Sequence, residues 1–390
     1  MERAFYNPRM FKFARESLGL DMEKAAEEVR KEFSRLRVSR SIGSDELSAV
    51  ERGEVDPDYE LVFCLCKVYQ RDAAFFFLDA PPPDEEPPAF RARAGEMELD
   101  YAARRGLLEF ERLADWVASL VEAMGIRWTA DLPWVSPEVV PQVLAEREAA
   151  RLGFEEAIRK SWPDRSAAFE WWRRRLESKG VVCVALKLGE KGPRGAALWR
   201  QGIPFVLVNH DTTESDAGRL FSLLHEYAHL LVSRANEVRR ESLALERFCE
   251  RFAARVLLPV GALREAVAAR GGPRADWSES RLRKLAEDLK VSMAAVAIGL
   301  EEAGLAREGF FCEMLERWRQ RPRTGWGRAA PVKRVERTFR RLGFSIARLM
   351  LTAWESGDLE PTALTDLTGA RIEKAKEYLE HFRARLGGIA

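Results

Sequence analysis

The residues of this chain with the plainest chemistry lie in FSLLHEYAHLLV, residues 221–232, where His225, Glu226 and His229 spell His-Glu-x-x-His. Positions four apart on a helix share one face, so the two imidazoles converge on a single point. Two imidazoles, one further side chain and a water make a tetrahedral zinc site. A carboxylate beside the first histidine stands where a general base for that water is needed. The chain has four histidines in all, and two fall in this motif. The pattern reads as a zinc centre with a base, against the plainer reading of two ordinary helix histidines.

A third protein ligand must come from elsewhere. ESLALERFCERFAARVLLP, residues 241–259, is a helical pattern stopped by Pro259. Glu246 and Glu250 lie four apart on one of its faces. Each supplies a carboxylate, and spacing alone does not choose between them. His210 and Arg247 are the candidates for a second oxyanion-stabilising donor.

The elements that carry these residues follow from periodicity. TESDAGRLFSLLHEYAHLLVS opens with Thr213 and Asp216, the pattern of a capping box. Leu220, Leu223, Leu224, Tyr227, Leu230 and Leu231 form its apolar stripe, with Gly218 and Ser222 on the histidine face. Upstream, VVCVALKLG, AALWRQG and IPFVLVNHD are aliphatic and β-branched, and predict a small antiparallel sheet. The edge of the strand at Ile203–Asn209 is the expected pairing edge for an extended substrate. Amphipathic helical segments fill most of the rest, so the fold class is α+β and mostly helical.

Length and punctuation set the organisation. The chain of 390 residues allows two to four domains. DAPPPDEEPP and the basic, Gly/Pro-broken RWRQRPRTGWGRAAPVKR are breaks. The expected layout is an N-terminal helical domain at 1–80 and a Pro-rich linker at 81–88. A helical linker region at 89–160 and the core that carries the His-Glu-x-x-His motif, with its following helices, at 161–305 come next. A basic connector at 306–335 leads to a C-terminal helical domain at 336–390.

A net charge of +1 gives no global field toward nucleic acid or anionic membrane. No apolar run is long enough for a transmembrane helix, and the first residues lack the apolar core of a signal peptide. Five scattered cysteines without a CxxC pair fit reduced thiols in a cytoplasm. No membrane partner is expected.

RLFSLLHEYAHLL followed by ERFCERFAARVLLP resembles the ImmA/IrrE family of zinc metallo-endopeptidases. Family members carry Phe-Thr-x-x-His-Glu-x-x-His, then Glu-x-x-Ala-Asn-x-Phe-Ala ending in Leu-Leu-Met-Pro or similar. The resemblance puts Glu246 on the third zinc ligand, beside His225 and His229. Phe252, Ala253, Leu257, Leu258 and Pro259 match the rest. Cys249 stands where alanine is usual. Glu250 stands where asparagine or aspartate is usual, which makes it a candidate to orient a ligand from behind.

YNPRMFKFARESLGL and VERGEVDPDYELVFCLCKVYQRDAAFFFLDAPPP resemble the XRE-type helix-turn-helix that often precedes this peptidase. RLMLTAWESGDLEPTALTDLTG resembles the small C-terminal helical unit of the family. The implied architecture is a helix-turn-helix bundle, a zincin-like core and a C-terminal helical domain. The implied activity is site-specific cleavage of a helix-turn-helix repressor. Cleavage would relieve repression in a stress, mobile-element or phage-related response. Two rivals belong to other classes: an XRE-type transcription regulator with an inactive or structural metal site, and a toxin or defence protease with another protein substrate. Residues 1–80 carry sixteen acidic against thirteen basic residues. That is the wrong sign for phosphate contact, so DNA is a doubtful partner for this domain.

Overall fold

The computed structural model describes residues 6–81, 99–136, 138–190, 192–211, 216–232, 243–273, 277–319 and 332–387. Residues 82–88 of the expected linker, 320–331 of the expected connector and Thr213 of the expected helix cap lie outside them. The protein is mostly helical with one three-stranded sheet, an α+β chain as its sequence predicts. It splits into two compact units. One is Met1–Leu113 with Lys187–Pro193; the other is Ala114–Leu186 with Arg194–Ala390.

The first unit contains α1 (Pro8–Ser17), α2 (Met22–Leu36), α3 (Ser44–Arg52) and α4 (Tyr59–Tyr69), then a short 3-10 turn at Ala73–Phe77. Side chains of Asn7, Asp21 and Asp58 accept from backbone amides at the starts of α1, α2 and α4, which satisfies donors a helix leaves unpaired. Phe11 stacks on Phe76 at 4.3 Å between ring centres. Arg15 reaches from α1 to Glu51 of α3 at 2.8 Å, and donates to the Leu20 carbonyl. Both groups are nearly buried, so the pair fixes how the two helices meet.

Helix α5 spans Tyr101–Ala123. The second unit continues with α6 (Pro141–Arg151), α7 (Glu156–Ser161) and α8 (Arg165–Ser178). Strands β1 (Val182–Leu186), β2 (Gly195–Arg200) and β3 (Ile203–Asn209) follow. Then come α9 (Asp216–Val232), α10 (Leu243–Leu257), α11 (Val260–Ala269), α12 (Glu279–Asp288), α13 (Met293–Glu302) and α14 (Phe310–Arg319). The chain closes with α15 (Arg334–Ser356), α16 (Pro361–Thr368) and α17 (Ala375–Gly387). None of the described helices is long and apolar enough to cross a membrane. All five cysteines are free thiols.

The sheet is mixed, which corrects the antiparallel sheet expected from the sequence. Its order is β1-β3-β2, with β1 parallel and β2 antiparallel to β3. The physical reason is local on one side only. Gln201 and Gly202 both take positive φ, 48° and 78°, as a two-residue type I′ hairpin turn requires. That turn sets Arg200 opposite Ile203 and fixes the antiparallel register. Strand β1 has no such turn and joins β3 from the far side. Because β3 is central, both its edges are taken, so it offers no pairing edge. Among the described residues, β2 is the outer strand next to the candidate site, and α15 packs against β1.

A large core in the second unit runs from the sheet to α14. Cys183, Val206 and Val208 on one face of the sheet pack with α6, α8, α9, α10 and the helices after them. Helix α9 is buried nearly all round, its apolar stripe and most of its histidine face included.

Helix α15 is broken at Gly343, whose φ of 84° and ψ of 179° suit glycine alone. An added Cβ there would collide with Arg173, Glu177 and the Cys183 carbonyl. Glu177 accepts from the Ser345 and Phe344 amides just past the break. Arg173 donates to the carbonyls of Arg340 and Cys183. The break is thus built into the junction of α8, β1 and α15.

Candidate metal centre

Helix α9 supplies His225, Glu226 and His229, and the adjacent α10 supplies Glu246. His225 Nε2 and His229 Nε2 lie 3.2 Å apart. Glu246 presents one carboxylate oxygen to each: Oε2 is 3.3 Å from His225 Nε2, and Oε1 is 3.3 Å from His229 Nε2. Among the described residues, these three form the one group of side chains able to hold a metal ion. A tetrahedral zinc with bonds near 2.0–2.1 Å has ligand-to-ligand edges of about 3.3 Å. The observed spacings match that length, and the donor set of two imidazoles and a carboxylate suits the ion.

Burial alone would raise the carboxyl pKa of Glu246, but hydrogen bonds from both histidines hold it far below the usual range. It is a carboxylate at any working pH, as a metal ligand must be. Glu250 does not belong to the group. His210, just past β3, donates its backbone amide to the Leu186 carbonyl at the end of β1 (2.7 Å) and is also outside it. Arg247 is exposed on α10.

Glu226 is 9 % exposed and projects over the first residue of β2. A Cβ built on Gly195 would stand 2.6 Å from Glu226 Cγ, 2.9 Å from its Oε1 and 2.7 Å from the Leu207 carbonyl oxygen. The glycine therefore leaves the space that the Glu226 side chain fills. Sequence reasoning missed Gly195; a glycine opening a strand marks close approach, but does not say of what.

Three further features surround the site. Cys249, fully buried one turn after Glu246, hydrogen-bonds to His229, and burial pushes its thiol pKa up. Ser222, 3 % exposed on the histidine side of α9, has a hydroxyl with no hydrogen-bond partner among the described residues. On the opposite side of α9, Tyr227 donates to Glu148 Oε2 at 2.6 Å and accepts from Arg151 at 2.7 Å. That network ties the back of the motif helix to α6. No sequence pattern announces it, since tyrosine reads as one more member of the apolar stripe.

Residues 176–301 match the family model of the IrrE N-terminal-like domain, a peptidase family. The matched stretch runs from the end of α8 to α13 and contains the whole His225–His229–Glu246 group. It supports a function of the metallopeptidase type. No curated protein and no solved structure matches the chain.

Proposed function

We propose that the protein is a zinc-dependent endopeptidase. The observation that carries this reading is the convergence of two imidazoles and a carboxylate at tetrahedral edge lengths, with a fourth side chain, Glu226, beside them. His225, His229 and Glu246 are the residues that would hold the ion. When bound, zinc supplies Lewis acidity, which acidifies water and polarises a carbonyl. Glu226 takes the proton from the attacking water as general base and passes it to the leaving amine. Its near-complete burial keeps competing solvent from the carboxylate. Glu226 also speaks against a purely structural metal site in a transcription regulator, since structural sites have no need of a base.

Strand β2 is the substrate-pairing element in this reading. Its outer edge accepts an extended backbone in the manner of an added strand, and its first residue lies under Glu226. A folded helix does not fit such an edge without unwinding. The substrate is therefore a protein cut in a flexible or extended segment. Its resemblance-based identity is a helix-turn-helix repressor, with relief of repression as the outcome. Docking outside the cleft would supply selectivity, and the first unit is the proposed dock.

The test is incubation of the zinc-loaded protein with a helix-turn-helix repressor encoded beside it, followed by mass spectrometry of the fragments. One or few cuts, absent with Glu226→Gln, are expected. Intact repressor and intact generic peptides with fully zinc-loaded protein would overturn the reading.

A further inference from the structure

We propose that Gly195 is a positioning residue for Glu226, letting its carboxylate sit at the catalytic angle by leaving the space that its side chain fills. The proposal rests on the reading of Glu226 as general base. Three observations carry it. First, Gly195 opens β2, opposite Val208 on β3, and Val208 faces the core that α9 belongs to. Cross-strand partners share a face, so Gly195 is turned toward the motif helix. Second, the approach is closer than a side chain tolerates. Carbon atoms rest at about 3.5–4.0 Å, whereas a Cβ here would meet Glu226 Cγ at 2.6 Å and Oε1 at 2.9 Å. Third, the third neighbour, the Leu207 carbonyl at 2.7 Å, belongs to the β2–β3 ladder. Ladder hydrogen bonds hold it, while Glu226 turns about its own side-chain bonds. The contacts with Glu226 are relieved by moving that side chain, whereas the contact with the Leu207 carbonyl needs a shift of the strand itself.

The consequence is a link between the strand that would pair substrate and the group that would take the proton. The β2 backbone forms one wall of its slot, so shifting β2 shifts the base. A general base displaced by about 1 Å loses on the order of 10²-fold in rate. None of the three nearest atoms belongs to His225, His229 or Glu246, so zinc binding is expected to be retained.

The experiment is a double-mutant cycle with full-length protein, read by zinc stoichiometry, thermal unfolding and kinetics on a cleavable peptide. Gly195→Ala should keep one zinc per chain and lose about 10²-fold in kcat, with KM changed less than about twofold. In the Glu226→Gln background, Gly195→Ala should cost no further rate, because residues acting as one unit are not additive. A thermal penalty of Gly195→Ala should shrink in the Glu226→Ala background, where the contacts with Glu226 Cγ and Oε1 are gone and only that with the Leu207 carbonyl remains. If Gly195→Ala alone does not fold, Gly195→Ala/Glu226→Ala must fold. Failure of both would make the Leu207 carbonyl the reason for the glycine and overturn the proposal. Full activity of Gly195→Ala, or a rate loss that adds to that of Glu226→Gln, would also overturn it. Full activity of Glu226→Gln itself would instead remove the general-base reading.

Discussion

The phenol of Tyr227 donates a 2.6 Å hydrogen bond to Glu148 and accepts one of 2.7 Å from Arg151, on the side of α9 away from His225 and His229. Arg151 also binds Glu148 at 2.8 Å and Asp131 at 3.1 Å. The phenol and the Glu148 carboxylate are buried, so losing the hydroxyl leaves a buried carboxylate short of a donor. Tyr227→Phe should destabilise the protein by about 1–3 kcal/mol. It should leave zinc stoichiometry unchanged, because the ligands face the other way. Denaturant unfolding paired with metal analysis checks both. Loss of zinc at full stability would show that the network shapes the site.

The metal itself is the next expectation. Purified protein should carry one zinc per chain, and His225→Ala, His229→Ala and Glu246→Ala should each lose it. Glu250→Ala should lose at most about 10–100-fold in affinity, the range for a group that only orients a ligand. Retention of zinc by Glu246→Ala with loss in Glu250→Ala would reverse the assignment. Acid should release the metal, because imidazole binds only when neutral. Burial lowers the His229 pKa, but Cys249 and Glu246 raise it well above the ordinary range, which sets the window of histidine protonation. Glu246, held far below the usual carboxylate range, stays ionised through that window. Release should therefore follow histidine protonation, with two protons taken up per zinc.

Glu226→Gln should keep zinc and fold and lower kcat by about 10²–10⁴-fold, the usual span for a general base. The amide fills the same slot over Gly195 but does not accept the proton at neutral pH. Unchanged turnover with intact zinc would take Glu226 out of the reaction.

Stability should depend on pH through Glu177. This carboxyl is fully buried between α8 and the α15 break, and burial pushes its pKa up to about 7, partly offset by Arg173 and the Ser345 and Phe344 amides. Glu170 adds to the rise. A folded-state value above the unfolded one means protonation favours the fold. The contribution is fully present below the ordinary value of 4.5 and is lost as pH rises to about 7. Glu177→Gln removes the titration. Between pH 5 and pH 8 the wild type should lose about 2–3 kcal/mol relative to that variant. Urea unfolding of both proteins at the two pH values measures it. A constant difference would mean that Glu177 is ionised throughout and paired with Arg173.

Much of this was legible in the sequence, for physical reasons that also explain the rest. Strands β1, β2 and β3 follow from their aliphatic and β-branched runs, and α9 from its stripe, because both signals are local. The sheet order is not local. The parallel pairing of β1 with β3 depends on a contact across more than twenty residues, while only the Gln201-Gly202 turn is written in adjacent positions. Glu246 and Glu250 are equivalent by helical spacing, and only the packing of α10 on α9 separates them. Gly195 and Tyr227 act through partners 31 and 79 residues away, so neither is marked by its neighbours. Helix α6 carries Glu148 inside a stretch that reads as linker, because its apolar face is short.

The last expectation concerns the first unit and nucleic acid. A DNA-reading helix needs cations free to meet phosphates. Helix α3 instead presents Asp45 and Glu46 in its first turn. Arg52, in its last turn, forms a two-point ion pair with Glu54 at 2.7 Å. Arg40, in the segment before it, is held by Glu46 and Asp58. Binding phosphate would mean giving up these pairs for no gain in charge balance. Full-length protein should therefore bind duplex DNA weakly and without sequence preference. Affinity should be about 10⁻⁴–10⁻⁶ M, the range of non-specific binding at physiological salt. Fluorescence anisotropy over a salt series checks it. Asp45→Lys/Glu46→Lys should tighten binding and steepen the salt slope by removing the repulsion. Nanomolar affinity of the unaltered chain for one operator, falling steeply with salt, would favour a transcription regulator and make the first unit a reader of DNA instead of a dock for the substrate.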